Sequence, residues 1–408
     1  MNKMLWLALV FVAFISCSED LDDSKFADYL VAKPVTISIA EFEKGGDIIA
    51  PRPIEESGKI YAYEDYIFVN DAYKGIHLID NSNPKNPVKR AFINIAGNVD
   101  ISVKDNFLYA DSMQDLLVFD ISNMDNIKLV NRLKGVLRDN IVWPTAEIYE
   151  WEDIDTNKEI QVGWKVVTER RLKVEVQNRF ENIDIMAMAD ASVGQGGSLA
   201  RFKIVSDYLY AVDNHSINVF DISDLENPKD LDDVYAGFDI ETIFNRDNHL
   251  FLGSKSGMYI YDITNPSIPE FVSEFQHGTA CDPVVVAGDY AYVTLRGGNA
   301  CGATESGLFI IDISDITTPV LAKMYALDGP YGLGIKDEKL FVCDGDSGLR
   351  VFDKTDVDNL VEINHFKDII TFDVIPREEN LIMIGDDILY QYEYLEDGIA
   401  LLSRLNLE

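Results

Sequence analysis

A short apolar run closed by aspartate returns along the chain at a near-constant interval, and this limits the fold more than any other feature. The copies are Gly75–Asp80, Leu116–Asp120, Ile217–Asp221, Gly257–Asp262, Gly307–Asp312 and Gly348–Asp353. Their closing aspartates are 40, 101, 41, 50 and 41 residues apart. A degraded seventh copy, Ile388–Tyr392, lacks the aspartate and ends 39 residues after Asp353. The period is therefore about forty residues, stretched once by some sixty residues and once by about nine. A repeat of this length marks a solenoid, a propeller or an array.

The closing aspartate is followed by Ile-Ser or a variant of it, and then by Pro87, Pro228, Pro269 or Pro319. Aspartate accepts a hydrogen bond from the backbone two residues ahead and so sets a turn. Proline after it suits the start of an edge strand, where the missing donor is harmless. These aspartates are read as structural. Each period holds four strand-like runs; around Asp353 they are Tyr331–Ile335, Lys339–Cys343, Leu349–Phe352 and Leu360–His365. Four short strands with their turns occupy about forty residues, and no long amphipathic helix is visible. The predicted fold is all-β: a seven-bladed β-propeller of four-stranded blades, with a right-handed solenoid as the alternative. The Leu-Phe-Ile-Ile-Asp-Ile-Ser type of motif resembles the LVIVD repeat of bacterial and archaeal surface proteins, over roughly residues 57–396. The resemblance implies a propeller at the cell envelope and no particular activity.

In a propeller the strands of a blade run outward from the axis, and the connections between blades share one face, the top, with the turns between second and third strands. The long insertion, about residues 138–199 between blades two and three, falls on that face, as does the expanded loop Arg296–Ser306 of blade five. Binding residues concentrate in loops on a rigid scaffold. The insertion holds Trp143, Trp151 and Trp164, all the tryptophans outside the first residues. They are either a platform for stacking sugars or anchors for the insertion. Arg201, His277, Asp282, Arg296 and Tyr331 map near the top or the inner strands and complete the candidate binding set. Together with Asp100 they would also serve a hydrolase or lyase at the mouth of the central channel. The second strands end on Asp71, Asp111, Asp213, Asp344 and Asp386, which are either turn residues or an electronegative rim. Asp344 and Asp346 are the candidates for a calcium ion, the one cofactor considered. No pair of histidines has zinc-ligand spacing. Cys281 and Cys301 fall in one blade on the top face and are expected to form a disulfide in an oxidising compartment; Cys343 is expected to be a buried free thiol.

The N-terminus addresses the compartment. Lys3 precedes an apolar run, Met4–Ile15, too short to span a bilayer and typical of a secretory signal. Phe14-Ile15-Ser16-Cys17 resembles a bacterial lipobox, which implies a signal peptide over 1–16, lipidation of Cys17 and an acidic tether over 17–34 ahead of a propeller over 35–408. The acidic residues after Cys17 resemble the tether of outer-membrane lipoproteins displayed at the cell surface; a periplasm-facing anchor is the alternative. A formal charge of −35 argues against nucleic-acid binding. The expected membrane contact is through the lipid alone. The expected function is a non-enzymatic binding or scaffold lipoprotein whose partner is an envelope protein, a peptide or a glycan, or a purely structural envelope component.

Overall fold

The computed structural model describes residues 25–138, 140, 143–144, 146–151, 154–173, 197–276, 283–297 and 306–408. Seven of the sheets among these residues contain a four-stranded antiparallel meander, and an eighth has three strands. The first meander runs Ser57–Tyr63, Tyr66–Asp71, Gly75–Asp80 and Val88–Asn94, and the second runs Ile101–Lys104, Phe107–Ser112, Asp115–Asp120 and Lys128–Leu133. The same order recurs five more times, ending with Asp373–Pro376, Asn380–Gly385, Ile388–Leu395 and Gly398–Asn406. In the third unit the outer strand is split into Lys229–Asp230 and Val234–Tyr235.

The closing aspartates behave as turn residues in all six copies. The backbone N–H two residues ahead donates to Asp80 at 3.0 Å and to Asp120, Asp221, Asp312 and Asp353 at 2.9 Å each, with Asp262 likewise bonded to Thr264. Hydrogen bonds from Ser82 and Thr355 hold the carboxyls of Asp80 and Asp353 below the usual range. Three residues on, Asn83, Asn123, Asp224, Asn265, Asp315 and Asp356 each open a second turn, with a backbone bond from their carbonyl to the N–H three residues ahead. Glycine opens several third strands because the neighbouring outer strand leaves no room: a Cβ on Gly348 (φ +88°) would lie 1.8 Å from the Phe366 carbonyl oxygen, and one on Gly75 (φ +139°) 2.0 Å from that of Ile93.

An apolar layer lies between every pair of consecutive units. Phe68, Leu78, Leu108 and Phe119 belong to the layer between the first and second. Ile60, Val69, Ile382, Leu389 and Leu407 form the layer between the seventh and the first. The innermost strands touch in cyclic order, with Asp373–Pro376 of the seventh unit against Ser57–Tyr63 of the first. Polar tethers follow the same order. The Tyr109 hydroxyl of the second unit donates to Leu225 O of the third at 2.8 Å, Tyr210 of the third to Pro266 O of the fourth at 2.7 Å, and Tyr325 of the fifth to Val357 O of the sixth at 2.8 Å. Ser403 of the seventh donates to Pro84 O of the first at 2.6 Å, a target in the equivalent turn.

The degraded copy now has an explanation. Glu393 pairs with Asn380 as Asp353 pairs with Lys339, but the third strand runs on to Leu395 and turns directly at Glu396–Asp397 into Gly398. A tight hairpin replaces the aspartate turn. Buried Gln391 instead exchanges hydrogen bonds with Asn81 of the first unit, at 2.7 and 3.1 Å.

The N-terminal segment forms a long strand outside the meanders. Phe26–Ser38 pairs antiparallel with Glu159–Leu172 and parallel with Ile148–Tyr149, giving the three-stranded sheet. The residues read as tether thus supply Phe26–Pro34 to a strand. A shorter piece, Asp47–Ile49, joins the outer edge of the first meander.

Candidate functional site

Register identifies one level of the inner strands. Ile60, Ile101, Phe202, Val284, Leu333 and Val374 pair with equivalent residues of their second strands, and the positions just before them face the axis region. Going round from the seventh unit to the third, those positions are Asp373, Lys59, Asp100 and Arg201, with signs that alternate. All four are buried. Lys59 Nζ lies 2.9 Å from Asp100 Oδ2. The same oxygen accepts from the backbone N–H of Phe202 at 3.0 Å and from that of Arg201. Arg201 Nε donates to Val212 O at 3.1 Å, while its Nη2 is buried without a partner. Both oxygens of Asp373 are also buried without a well-aligned partner among the described residues, and desolvation pushes its carboxyl well above the usual range against a weak contact from the Val374 backbone N–H. Desolvation acts on Lys59 in the opposite sense, lowering its pKa against the attraction of Asp100. A cavity of about 10 Å³, room for about one water, adjoins Lys59, Asn70 and Asp100.

The chain itself occupies the centre. The single 3₁₀ turn Gly197–Leu199, the end of the insertion, rests against the inner strands of the first, fourth, fifth, sixth and seventh units. Ser198 is buried and its Oγ accepts from Leu333 N at 2.9 Å; Ala200 O accepts from Ile243 N at 2.8 Å. Gly197 (φ +72°) packs so closely that a Cβ would lie 2.5 Å from Val374 O and 2.8 Å from Asp373 Oδ1. Gly197 is thus a close-packed part of the centre.

The insertion sheet stands over the first unit. Gly163 is in contact with the ring of Tyr73, in the turn between the second and third strands of that unit. Asn140 Nδ2 ties the start of the insertion to Asp111 Oδ2 at 2.7 Å. Trp143, Trp151 and Trp164 come together with Tyr149, ring centroids 5.2–5.6 Å apart. Trp164 is 6% exposed and packs within the sheet, while Trp151 is 62% exposed. Lys33 and Arg171 pair with Glu150 and Glu169 beside them.

Of the five aspartates at the ends of the second strands only Asp386 is exposed, so they do not form a continuous open rim. Asp71, Asp111, Asp213 and Asp344 are buried, and all four accept backbone N–H groups of loops on this face. Asp344 Oδ1 accepts from Gly329 N at 2.8 Å and its Oδ2 from Arg350 Nε at 2.7 Å, while Asp346 is exposed. The Asp344 oxygens are thus engaged by protein donors, and among the described residues no group of three potential metal ligands converges.

Two further candidates meet: the Arg296 guanidinium lies 4.1 Å over the ring of Tyr331, whose edge packs on Phe372 at 5.3 Å. Arg201 is separate from them, in the axial charge set. His277, Asp282, Cys281, Cys301 and Cys17 lie outside the described residues. Cys343 is a free, fully buried thiol. Lys59, Ser198 and Asp373 were not among the residues singled out. The signal for two of them was present: aligning the copies on inner-strand register puts Lys59 and Asp373 in one column with Asp100 and Arg201.

An all-β chain of repeated four-stranded antiparallel sheets, its inner strands gathered round a filled centre, is a propeller-like repeat protein. LVIVD repeats are found in four places in the chain, at residues 56–90, 96–134, 246–276 and 277–326. No curated protein matches it. Solved structures do. Sqt1 of Saccharomyces cerevisiae is similar at TM-score 0.52 and 10% identity, covering 89% of each chain. The computationally designed Ika8 protein is similar at TM-score 0.51 and 12% identity, covering 89% of this chain and 91% of its own. A functionally unknown protein from Desulfotomaculum acetoxidans is similar at TM-score 0.51 and 13% identity, covering 83% and 99%. At these identities the likeness concerns the fold alone.

Proposed function

We propose that the chain is a seven-bladed β-propeller lipoprotein that captures an envelope protein, peptide or glycan on its top face and does no chemistry. The observation that carries this is the division of labour within the insertion. Its end, Gly197–Leu199, fills the axial position where a propeller enzyme would hold substrate, and its sheet holds the ring of Trp151 outward. The cyclic contacts and the tether from Ser403 to Pro84 support seven blades in a closed ring. The lipobox-like segment supports an anchor at Cys17 in the outer membrane with the propeller at the cell surface, and a Cys281–Cys301 disulfide would brace the blade-five loop.

The experiment separates the two kinds of tryptophan. Trp151→Ala should reduce capture of cell-surface glycans or envelope proteins by about tenfold, the loss of one good stacking contact, with the melting temperature unchanged. Trp164→Ala should lower stability by about 3–5 kcal/mol, as loss of a buried ring does. Capture that is unchanged in Trp151→Ala would overturn the proposed binding surface.

A further inference from the structure

The connection between the third and fourth units carries a second aromatic patch, unrelated to the insertion. Tyr235 and Phe238 are 61% and 63% exposed and meet edge to face, centroids 6.0 Å apart. His215 packs edge-on against Phe238 at 5.4 Å. The backbone beneath is well held. Tyr235 is paired with Ser216, Ala236 N donates to His215 O at 2.7 Å, and Gly237 (φ +129°) lies against the ring of Tyr259. The two rings are fixed in position without being covered. Exposed apolar surface that is built this firmly marks an interaction site more often than a chance exposure.

The charges nearby select a partner. Asp230, Asp232 and Asp233 precede Tyr235, and Asp239 follows Phe238. Asp239 is paired with Lys255 at 3.3 Å. The other three are not balanced in this way: burial and mutual repulsion raise the carboxyls of Asp230 and Asp233, and the charge of Arg138 offsets this only in part. Beside Trp151, by contrast, Glu150 and Glu169 are paired with Lys33 and Arg171.

We propose that Tyr235 and Phe238, with Asp232 and Asp233 beside them, dock a cationic segment of a partner protein. The occupant is an extended peptide whose arginine or lysine side chains lie over the rings while their charges meet the two carboxylates. Rings attract cations on their faces, and guanidinium–carboxylate contacts are among the stronger polar contacts. The inference stands apart from the Trp151 surface.

The test uses the full chain and a fluorescent hexapeptide of alternating arginine and leucine, with a glutamate–leucine hexapeptide as control, read by anisotropy at several salt concentrations. The basic peptide should bind and the acidic one should not. The double variant Tyr235→Ala/Phe238→Ala should weaken binding by about tenfold, equivalent to one or two cation–π contacts. Asp232→Asn/Asp233→Asn should also weaken it and flatten its salt dependence. If the aromatic variant lost its fold, Phe238→Ser alone and the aspartate pair would carry the test. Basic-peptide binding that survives both double variants would be general attraction to the acidic molecule and would overturn the proposal, as would no binding at all.

Discussion

Asp373 shows how a single side chain can work against the fold that holds it. Its carboxylate is enclosed between Gly197 and Gly332, where a Cβ on Gly332 would lie 2.4 Å from Oδ1, and among the described residues the neighbouring Val374 backbone N–H offers its sole, poorly aligned donor. Burying an unpaired carboxylate is expensive, and the group responds by holding its proton. A carboxyl raised on folding contributes no penalty below the ordinary value near about 4, where both states are protonated. As pH rises toward the raised value the unfolded chain ionises first, and stability is lost. Asp373→Asn keeps the shape and removes the charge. It should raise the melting temperature at pH 7 by about 2 °C or more, with the gain absent near pH 3.5; calorimetry at the two pH values decides, and destabilisation at pH 7 would mean that the negative charge is needed to balance Lys59. The closing aspartates were legible as turn residues because their partners are two residues away in sequence. Asp373 was not, because its surroundings come from three distant segments.

The regularity of the elements reflects one turn design used six times. The strands around Asp353 run Leu333–Lys336, Lys339–Cys343, Leu349–Asp353 and Val361–Phe366, within about two residues of the sequence expectation. They were readable because β-branched and aromatic residues alternate between obvious turn signals. Phe26–Ser38 was not readable as a strand partner. It contains Pro34, which normally argues against a paired strand, a register shift follows at Val35–Thr36, and its partner begins at Glu159. Turns also lock neighbouring units together through hydroxyl-to-carbonyl bonds. Tyr109→Phe, Tyr210→Phe and Tyr325→Phe should each cost about 1 kcal/mol, the net worth of a hydrogen bond, in urea unfolding. Near-equal losses would show that the three contacts are one recurring device; a loss at only one of them would show that the resemblance is geometric alone.

For the molecule as a whole, the insertion does most to distinguish this chain from a plain ring. It enters at Asn140, pairs with the N-terminal strand, and ends at the axis in Gly197–Leu199. If Cys17 carries the proposed lipid, the anchor leads within a few residues into the strand Phe26–Ser38 and so joins the insertion sheet before the ring. Cys17→Ala should release the protein from the membrane fraction and reduce its mass by the acyl groups, with the melting curve of the released protein unchanged. A variant that stays membrane-bound at unaltered mass would rule out the anchor. The fold class was legible because its unit is repeated along the chain. The filled centre was not, since it depends on where a sixty-residue excursion comes to rest.

The layer between the seventh and first units has a consequence for how the protein is made. Leu407 is wholly buried beside Ile54 and Ile60, and the backbone N–H of Ile54 donates to its carbonyl at 2.9 Å. The earliest blade to leave the ribosome therefore waits, with one apolar side open, for residues some 350 positions later. Contacts of such sequence separation form late and slowly, and an open apolar edge invites aggregation meanwhile. Synthesis imposes on this chain a long interval as an incomplete circle, during which a holding chaperone has to stand in for the missing neighbour.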